Sequence, residues 1–208
     1  MKLSEIITKS LPIFNVYGYH GTDLELLLEK LQIRPSDFNR DFTDFDDLIV
    51  KTFYQLCSES DEVSKQIDNE STSLEKLYVA TLNSYEVQLK YRFIFLNLAS
   101  ILDRHEKIKD RYFELISLRK AQLIHIFVLF HQEGIFKTEP IPGCFENLSN
   151  QMIMLSDYWP SHNHIIFGDG AYHYQYYSKL IFSMVLPYLT DEGLTLYKKI
   201  LGYEKKTD

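Results

Sequence analysis

The amino-acid sequence predicts an all-α protein in which an N-terminal three-helix unit is followed by a larger helical domain. The chain has 208 residues, of which 45% are hydrophobic and 25% charged, a composition that supports a packed core. Only eight Gly and six Pro are present, and most of them lie between stretches of periodic apolar residues. Those stretches follow the helical period, and the sequence contains no strand-rich segment, internal repeat or low-complexity tract.

The first two helices are predicted from apolar spacing and from the residues at their ends. A first helix stops at Gly18, and Pro12 inside it is expected to kink it. Its apolar face consists of Ile6, Ile7, Leu11 and Phe14. We expect Thr22 to cap a second helix, "DLELLLEKL" (23–31). Its apolar face consists of Leu24, Leu27, Leu28 and Leu31.

A tight turn separates the second helix from a short third one. Pro35 suits the first turn of this third helix, which is predicted to run through Asp41. Thr43 and Asp46 resemble a weak capping box that opens a fourth helix through about Cys57. Three short helices, the second and third joined by a tight turn, form a helix-turn-helix pattern.

The rest of the chain predicts further helices separated by polar or Gly-containing breaks. Residues 58–71, "SESDEVSKQIDNES", are polar and acidic and are interpreted as a connector. A capping box of Thr72 and Glu75 opens the next helix. The predicted helices beyond the connector are 72–89, 91–102, 106–133, 144–160, 170–188 and a short last one closing at Gly202.

Charge and cysteine usage limit the possible functions. The net charge of −7 argues against simple electrostatic capture of nucleic acid, although a local basic patch could still exist. Cys57 and Cys144 lie far apart and are expected to be free thiols. The N-terminus is too polar for a signal peptide, and the longest apolar run, 123–130, is too short to span a bilayer. We therefore expect a cytoplasmic protein with no membrane partner.

The sequence offers no positive sign of an enzyme. It lacks a Gly-rich phosphate loop, a nucleophile elbow and a cysteine-based metal motif, so no cofactor is predicted. Four potential metal ligands cluster near one another, but no repeated pairing places them on one face, and no metal site is predicted. They are His162, His164, Asp169 and His173. The 15 Tyr and 14 Phe suit either a ligand pocket or a core, and composition does not separate these.

Two stretches of the sequence resemble a known family. "LPIFNVYGYHGTDLELLLEKLQIRPSDFNRDFTDFDDLIVKTFY" (11–54) carries an apolar pair, a Phe, Gly-Tyr-x-x-Thr, a Leu-rich second helix and a short aromatic helix. It resembles the N-terminal domain of TetR/AcrR-family transcriptional regulators. The matching residues are Leu11, Ile13, Phe14, Gly18, Tyr19, Thr22, Leu27, Leu31, Ile33, Phe38, Phe42 and Leu48. "YRFIFLNLASILDRHEKIKDRYFELISLRKAQL" (91–123) is similar to the effector domain of one TetR subgroup.

This resemblance implies a helix-turn-helix DNA-binding domain at 1–55 and a helical effector-binding and dimerisation domain at 56–208. The implied partners are a palindromic double-stranded DNA operator, a second copy of the chain and an apolar or aromatic small-molecule effector. The candidate DNA contacts are Thr22, Arg34, Ser36, Asp37, Asn39, Arg40 and Thr43. The candidate pocket residues are Tyr91, Phe95, Tyr112 and Phe127. The candidate dimer contacts are Leu148, Met152, Leu155, Tyr177, Leu180 and Met184.

The chain departs from the family pattern where DNA would be read. Gln32 occupies the turn position that is usually Gly, and the basic loop after the third helix becomes "TDFDD". Residues 1–55 contain six Lys and Arg against nine Asp and Glu, a balance of −3. Two hypotheses therefore remain open. One is a repressor that a small molecule releases from its operator, and the other is a ligand-binding or protein-interaction dimer that has lost operator affinity.

Overall fold

The computed structural model describes residues 3–65 and 72–203. Within these residues the chain is all-helical and forms no strand, only an isolated antiparallel bridge between Phe136 and Leu189, so the predicted fold class is confirmed. The N-terminal helices are α1 (Leu3–Tyr17), α2 (Leu24–Leu31), α3 (Pro35–Phe38) and α4 (Phe45–Lys65). The others are α5 (Ser73–Lys90), α6 (Arg92–Leu96), α7 (Leu98–Arg104), α8 (Glu106–Gln132), α9 (Cys144–Phe167), α10 (Tyr174–Phe182) and α11 (Asp191–Ile200).

The first of two compact units comprises Met1–Glu62 and Glu86–Phe113. The inner face of α1 packs on the short helices that follow α5, and Phe14 stacks on Phe93 with ring centroids 4.5 Å apart. A buried polar contact lies in the same unit, where the Tyr19 hydroxyl is 3.0 Å from His105 Nε2. The buried apolar residues include Ile6, Ile7, Leu11, Phe14, Leu27, Leu48, Ile49, Phe93, Ile94, Ile101 and Ile108.

The second unit comprises Val63–Tyr85 and Glu114–Asp208. Its core contains the chain's single tryptophan, Trp159, which is fully buried and stacks on Tyr85 at 5.2 Å. A second aromatic cluster lies at the end of α8 and the start of α9 and consists of Phe127, Phe130, Phe136 and Phe145. Aromatic side chains therefore fill much of this core.

The starts of α2 and α4 differ from prediction by one residue each. The α2 cap is Asp23, whose carboxylate accepts a hydrogen bond from Leu26 N–H, while the Thr22 hydroxyl donates to the Gly18 carbonyl. Likewise Asp44, not Thr43, accepts from a backbone N–H, that of Asp47, at the start of α4. Thr22 and Asp23, like Thr43 and Asp44, are neighbouring residues that both cap helices well, so only the backbone geometry determines which one is the cap.

Three further helices differ from prediction in their bounds, and a side-chain hydrogen bond lies at each difference. Helix α4 continues through the predicted connector to residue 65, and the Glu59 carboxylate on it accepts hydrogen bonds from Lys90 and Tyr91; the connector residues 66–71 lie outside the described part. The predicted helix 91–102 is divided at Asn97, whose side chain donates to the Phe93 carbonyl and competes with the helical ladder.

Helix α9 extends seven residues beyond the predicted end at residue 160. The buried Asn163 donates to the Ala171 carbonyl and accepts from His173 N–H, so its side chain fixes the following loop against these last turns. Gly168, whose positive φ of 69° favours glycine, ends the helix.

The two compact units do not follow the predicted division at residues 55 and 56, which falls inside α4. The assignment of 1–55 to DNA binding and of 56–208 to effector binding and dimerisation stays a prediction. None of the helices described combines the length and apolar character that crossing a bilayer needs.

Candidate nucleic-acid interface

The turn between α2 and α3 has the backbone geometry of a helix-turn-helix, although the sequence lacks the usual glycine. Gln32 adopts a left-handed conformation with φ 54° and ends α2. Its N–H donates to the Glu29 carbonyl at 3.1 Å, and the next N–H, of Ile33, donates to the Leu28 carbonyl at 3.2 Å. These two bonds satisfy the last carbonyls of α2 and redirect the chain into α3.

Helix α3 is only four residues long and depends on packing for its position. Phe38 and Phe42 are buried and stack with ring centroids 4.9 Å apart. Lys51 on α4 donates from Nζ to the Asp41 carbonyl at 2.6 Å and lies 5.3 Å from the centre of the Phe42 ring. The inner side of the segment is thus fixed to α4, and its outer side is left to solvent.

The predicted DNA contacts, with one exception, lie on or near this outer side. Ser36, Asn39 and Thr43 are exposed. The side chains of Arg34 and Arg40 are 79% and 63% exposed. The exception is Thr22, which is 5% exposed and whose hydroxyl is used by the Gly18 carbonyl.

Asp37 binds both arginines of this surface. Arg34 Nε donates to one carboxylate oxygen at 2.9 Å, and Arg40 donates to the other oxygen. The hydrogen bond from Arg34 and the positive charges of both guanidinium groups hold the pKa of Asp37 below its ordinary value, against a smaller opposing effect of desolvation. The carboxylate is therefore ionised at neutral pH, and three charged side chains present a net charge of +1.

The pairing extends to every described cation between residues 3 and 55. Each Lys or Arg there has a carboxylate within ion-pair distance. The pairs are Lys9–Glu5, Lys30–Glu29, Arg34–Asp37, Arg40–Asp37 and Lys51–Asp47. Exposed ion pairs are weak, so DNA phosphate can compete for these cations. Each phosphate contact, however, would replace an ion pair that the cation already makes within the protein.

The four predicted pocket residues are divided between the two compact units. Tyr91, Phe95 and Tyr112 belong to the first compact unit, and Phe127 belongs to the second. The buried Tyr91 donates its hydroxyl to Glu59 at 2.7 Å, and burial raises the pKa of Tyr91. Phe127 lies inside its aromatic cluster. Each of these two side chains has a packing role.

Sequence reasoning did not identify an open groove of about 530 Å³ in the second unit. It lies where the start of α5 meets the end of α8 and the start of α11, and Ser73 donates to Glu133 across it at 2.6 Å. Its lining is mixed and partly charged: Thr72, Ser73, Lys76, Glu133, Gly134, Ile135, Glu192 and Leu196. It contains none of the four predicted pocket residues.

Three of the predicted dimer contacts are buried within the protomer. Leu148, Met152 and Tyr177 belong to its own core, which leaves them almost no surface for a partner. Leu155 and Met184 are half-buried, and Leu180 is exposed. Exposed apolar residues missed by the sequence analysis lie elsewhere on α9 and α10: Met154, Tyr158, Ile165 and Tyr176, each more than half exposed. Because α9 carries apolar residues on both faces, its sequence does not indicate which of them are buried and which are exposed.

The histidine-rich stretch near the end of α9 is engaged in local contacts. His162 Nδ1 lies 2.7 Å from the Tyr177 hydroxyl, and His173 packs its ring on Phe167 at 4.5 Å. Across the part of the chain that the structure describes, no three His, Cys, Asp or Glu side chains are grouped so as to hold a metal ion.

The chain is similar to known transcriptional regulators. A family model of TetR bacterial transcriptional repressors matches residues 57–197. A TetR-family transcriptional regulator from Marinobacter aquaeolei has the same fold with a TM-score of 0.81 and 21% identity over 96% of this chain and 99% of that one. A TetR-family regulator from Cytophaga hutchinsonii gives a TM-score of 0.65 with 17% identity over 91% of this chain and 95% of that one. A comparison with curated proteins gave no match.

Proposed function

Because this chain belongs to the TetR family of transcriptional regulators, we propose that it is a homodimeric cytoplasmic repressor that binds a palindromic operator in double-stranded DNA. A small apolar or aromatic molecule would release it by favouring a dimer geometry that no longer fits the operator.

The observation that carries this proposal is the outer surface of α3. The buried pair Phe38 and Phe42 fixes the segment, and polar side chains able to read base edges remain exposed on it. Arg suits the O6 and N7 acceptors of guanine, and Asn suits adenine. The exposed residues of these types are Arg34, Asn39 and Arg40.

Dimerisation supplies the second half-site. A two-fold dimer places two α3 surfaces about one helical turn of DNA apart, so the operator would be palindromic. We assign the dimer contact to α9 and α10, with Met154, Tyr158 and Leu180 as its exposed apolar residues. An obligate interface of this kind buries more than about 2,000 Å² and is mostly apolar.

The effector would bind the helical domain, whose aromatic content suits an apolar ligand. A ligand that binds only the folded state, present at a hundred times its dissociation constant, stabilises that state by about 2.7 kcal/mol. A thermal-unfolding screen of apolar and aromatic compounds, followed by DNA release with each hit, tests this part.

Selection of genomic fragments on the purified dimer at low salt tests operator binding. The proposal expects enrichment of a palindrome whose half-sites are about one helical turn apart. Random recovery of fragments would refute it.

The ion pairing of every described cation in 3–55 favours a second candidate function. In that case the chain is a ligand-binding or protein-interaction dimer without operator affinity. This second function would be supported if the genomic selection enriches no palindrome while a compound from the thermal-unfolding screen stabilises the dimer.

A further inference from the structure

We propose that Asp37 is the specificity-determining residue of the α3 surface, and that with Arg40 it recognises a G·C base pair while suppressing binding to random DNA. This inference rests on the proposed function, because it concerns how the same surface would select its operator.

The geometry singles out Asp37 from the other carboxylates of the segment. Its side chain is 24% exposed and accepts from Arg34 Nε at 2.9 Å, from Arg34 Nη2 at 3.4 Å and from Arg40. One carboxylate thus holds both exposed guanidinium groups of the surface. Asp41, one turn further along, has its carbonyl bound to Lys51, and the hydrogen bonds of Arg34 and Arg40 go to Asp37.

A DNA phosphate and a G·C base pair offer different hydrogen-bonding groups to Asp37 and its two arginines. A phosphate supplies only an acceptor, so Arg34 or Arg40 must leave Asp37, and the carboxylate then faces a second anion. A G·C pair presents two acceptors on guanine and the N4–H donor on cytosine in the major groove. Arg40 can donate to guanine while Asp37 accepts from cytosine, so both charged groups keep a hydrogen-bond partner.

The test compares Asp37→Asn with the matched control Asp41→Asn, which removes the same charge from the same segment. Fluorescence anisotropy measures binding of full-length wild type and both variants to a random-sequence duplex over a range of salt concentrations. Each additional phosphate contact steepens the plot of log affinity against log salt by about 0.9.

For Asp37→Asn we expect the slope to steepen by about 1–2, because one or two arginines become free to contact phosphate. Affinity for random DNA at low salt should rise roughly 2- to 30-fold, the range that two weak exposed ion pairs allow. Asp41→Asn should change the slope by less than half as much. Circular dichroism confirms that each variant is folded, and Asp37→Ser replaces Asp37→Asn if the latter is not.

The outcomes separate this inference from the proposed function. Equal changes in the two variants, or no change in Asp37→Asn, overturn the role of Asp37 even if wild type enriches a palindrome. A higher affinity for random DNA and a steeper salt slope in Asp37→Asn alone support the suppression of random binding, even if the wild type enriches no palindrome. In an enriched palindrome, Asp37→Asn should relax the preference at one G·C position of each half-site; a site without any G·C preference overturns the readout.

Discussion

Replacing Gly193 with Ala tests the packing between α11 and the turn that follows α8. Gly193 is buried near the start of α11, and its N–H donates to the Thr190 hydroxyl at 3.0 Å. A Cβ at this position would overlap the Ile135 carbonyl oxygen and lie 3.1 Å from the carbonyl carbon and 3.2 Å from a Leu189 methyl group. Two of these neighbours are backbone atoms, which cannot rotate away.

The expected loss follows from three contributions. Overpacking a filled site costs about 1–3 kcal/mol. The displaced Ile135 carbonyl also accepts from Thr190 N–H at 2.9 Å, and loss of that hydrogen bond costs about 1 kcal/mol. Ala favours a helix over Gly by about 1 kcal/mol and offsets part of this. The net expectation is a loss of about 1–3 kcal/mol in the free energy of unfolding, within the usual range for core substitutions.

Tryptophan fluorescence during urea unfolding measures this change, because the single tryptophan, Trp159, is buried in the same compact unit. With a slope of about 2 kcal/mol per molar urea, the midpoint should fall by about 0.5–1.5 M at equal protein concentration. Gly170→Ala is the matched control, since an added Cβ there has no neighbour within 4 Å. A Gly193→Ala midpoint equal to or above that of wild type would refute the packing argument.

Three further substitutions test other parts of the structure. Glu59→Gln removes the carboxylate that accepts hydrogen bonds from Lys90 and Tyr91. Burial raises the pKa of Glu59, but these hydrogen bonds outweigh burial and lower the pKa below its ordinary value. The ionised carboxylate therefore stabilises the folded protein above the pKa of the unfolded chain, and this contribution disappears as pH falls through the lower pKa of the folded state. The difference in unfolding midpoint between wild type and Glu59→Gln should therefore shrink from pH 6 to pH 3, and a constant difference contradicts this. Tyr158→Glu should convert a dimer into a 24.6 kDa monomer in light scattering, and an unchanged dimer would remove that residue from the contact. Gln32→Gly should raise the melting temperature slightly, since relief of about 1–2 kcal/mol of left-handed strain exceeds the roughly 0.4–1 kcal/mol that glycine costs through the unfolded chain; a lower melting temperature contradicts it.

The fold was predictable where stop and start signals are local. Gly18 ends α1, Pro35 opens α3 and Gly134 follows the end of α8, as the sequence indicates. Helix bounds were not predictable where a polar side chain determined them. Glu59 on α4 binds Lys90, which lies far along the chain, and Asn97 donates to the backbone carbonyl of Phe93; apolar periodicity indicates neither contact.

The candidate site was predictable in part. The exposure of Arg34, Asn39 and Arg40 follows from a helix with Phe38 and Phe42 facing inward. Spacing of three residues permits Asp37 to pair with either arginine, but it does not decide between solvent, one arginine and both. The side of α9 available to a partner was also undetermined, because both of its faces carry apolar residues.

The buried aromatic pair beneath α3 has an evolutionary consequence. Phe38 and Phe42 hold the segment in place, whereas Ser36 and Asn39 on the outside are exposed. Substitutions at exposed positions usually change stability by less than about 0.5 kcal/mol. The outer residues can therefore diverge among gene duplicates without loss of the fold. Under the proposed function, single substitutions at these positions would give access to new target sequences.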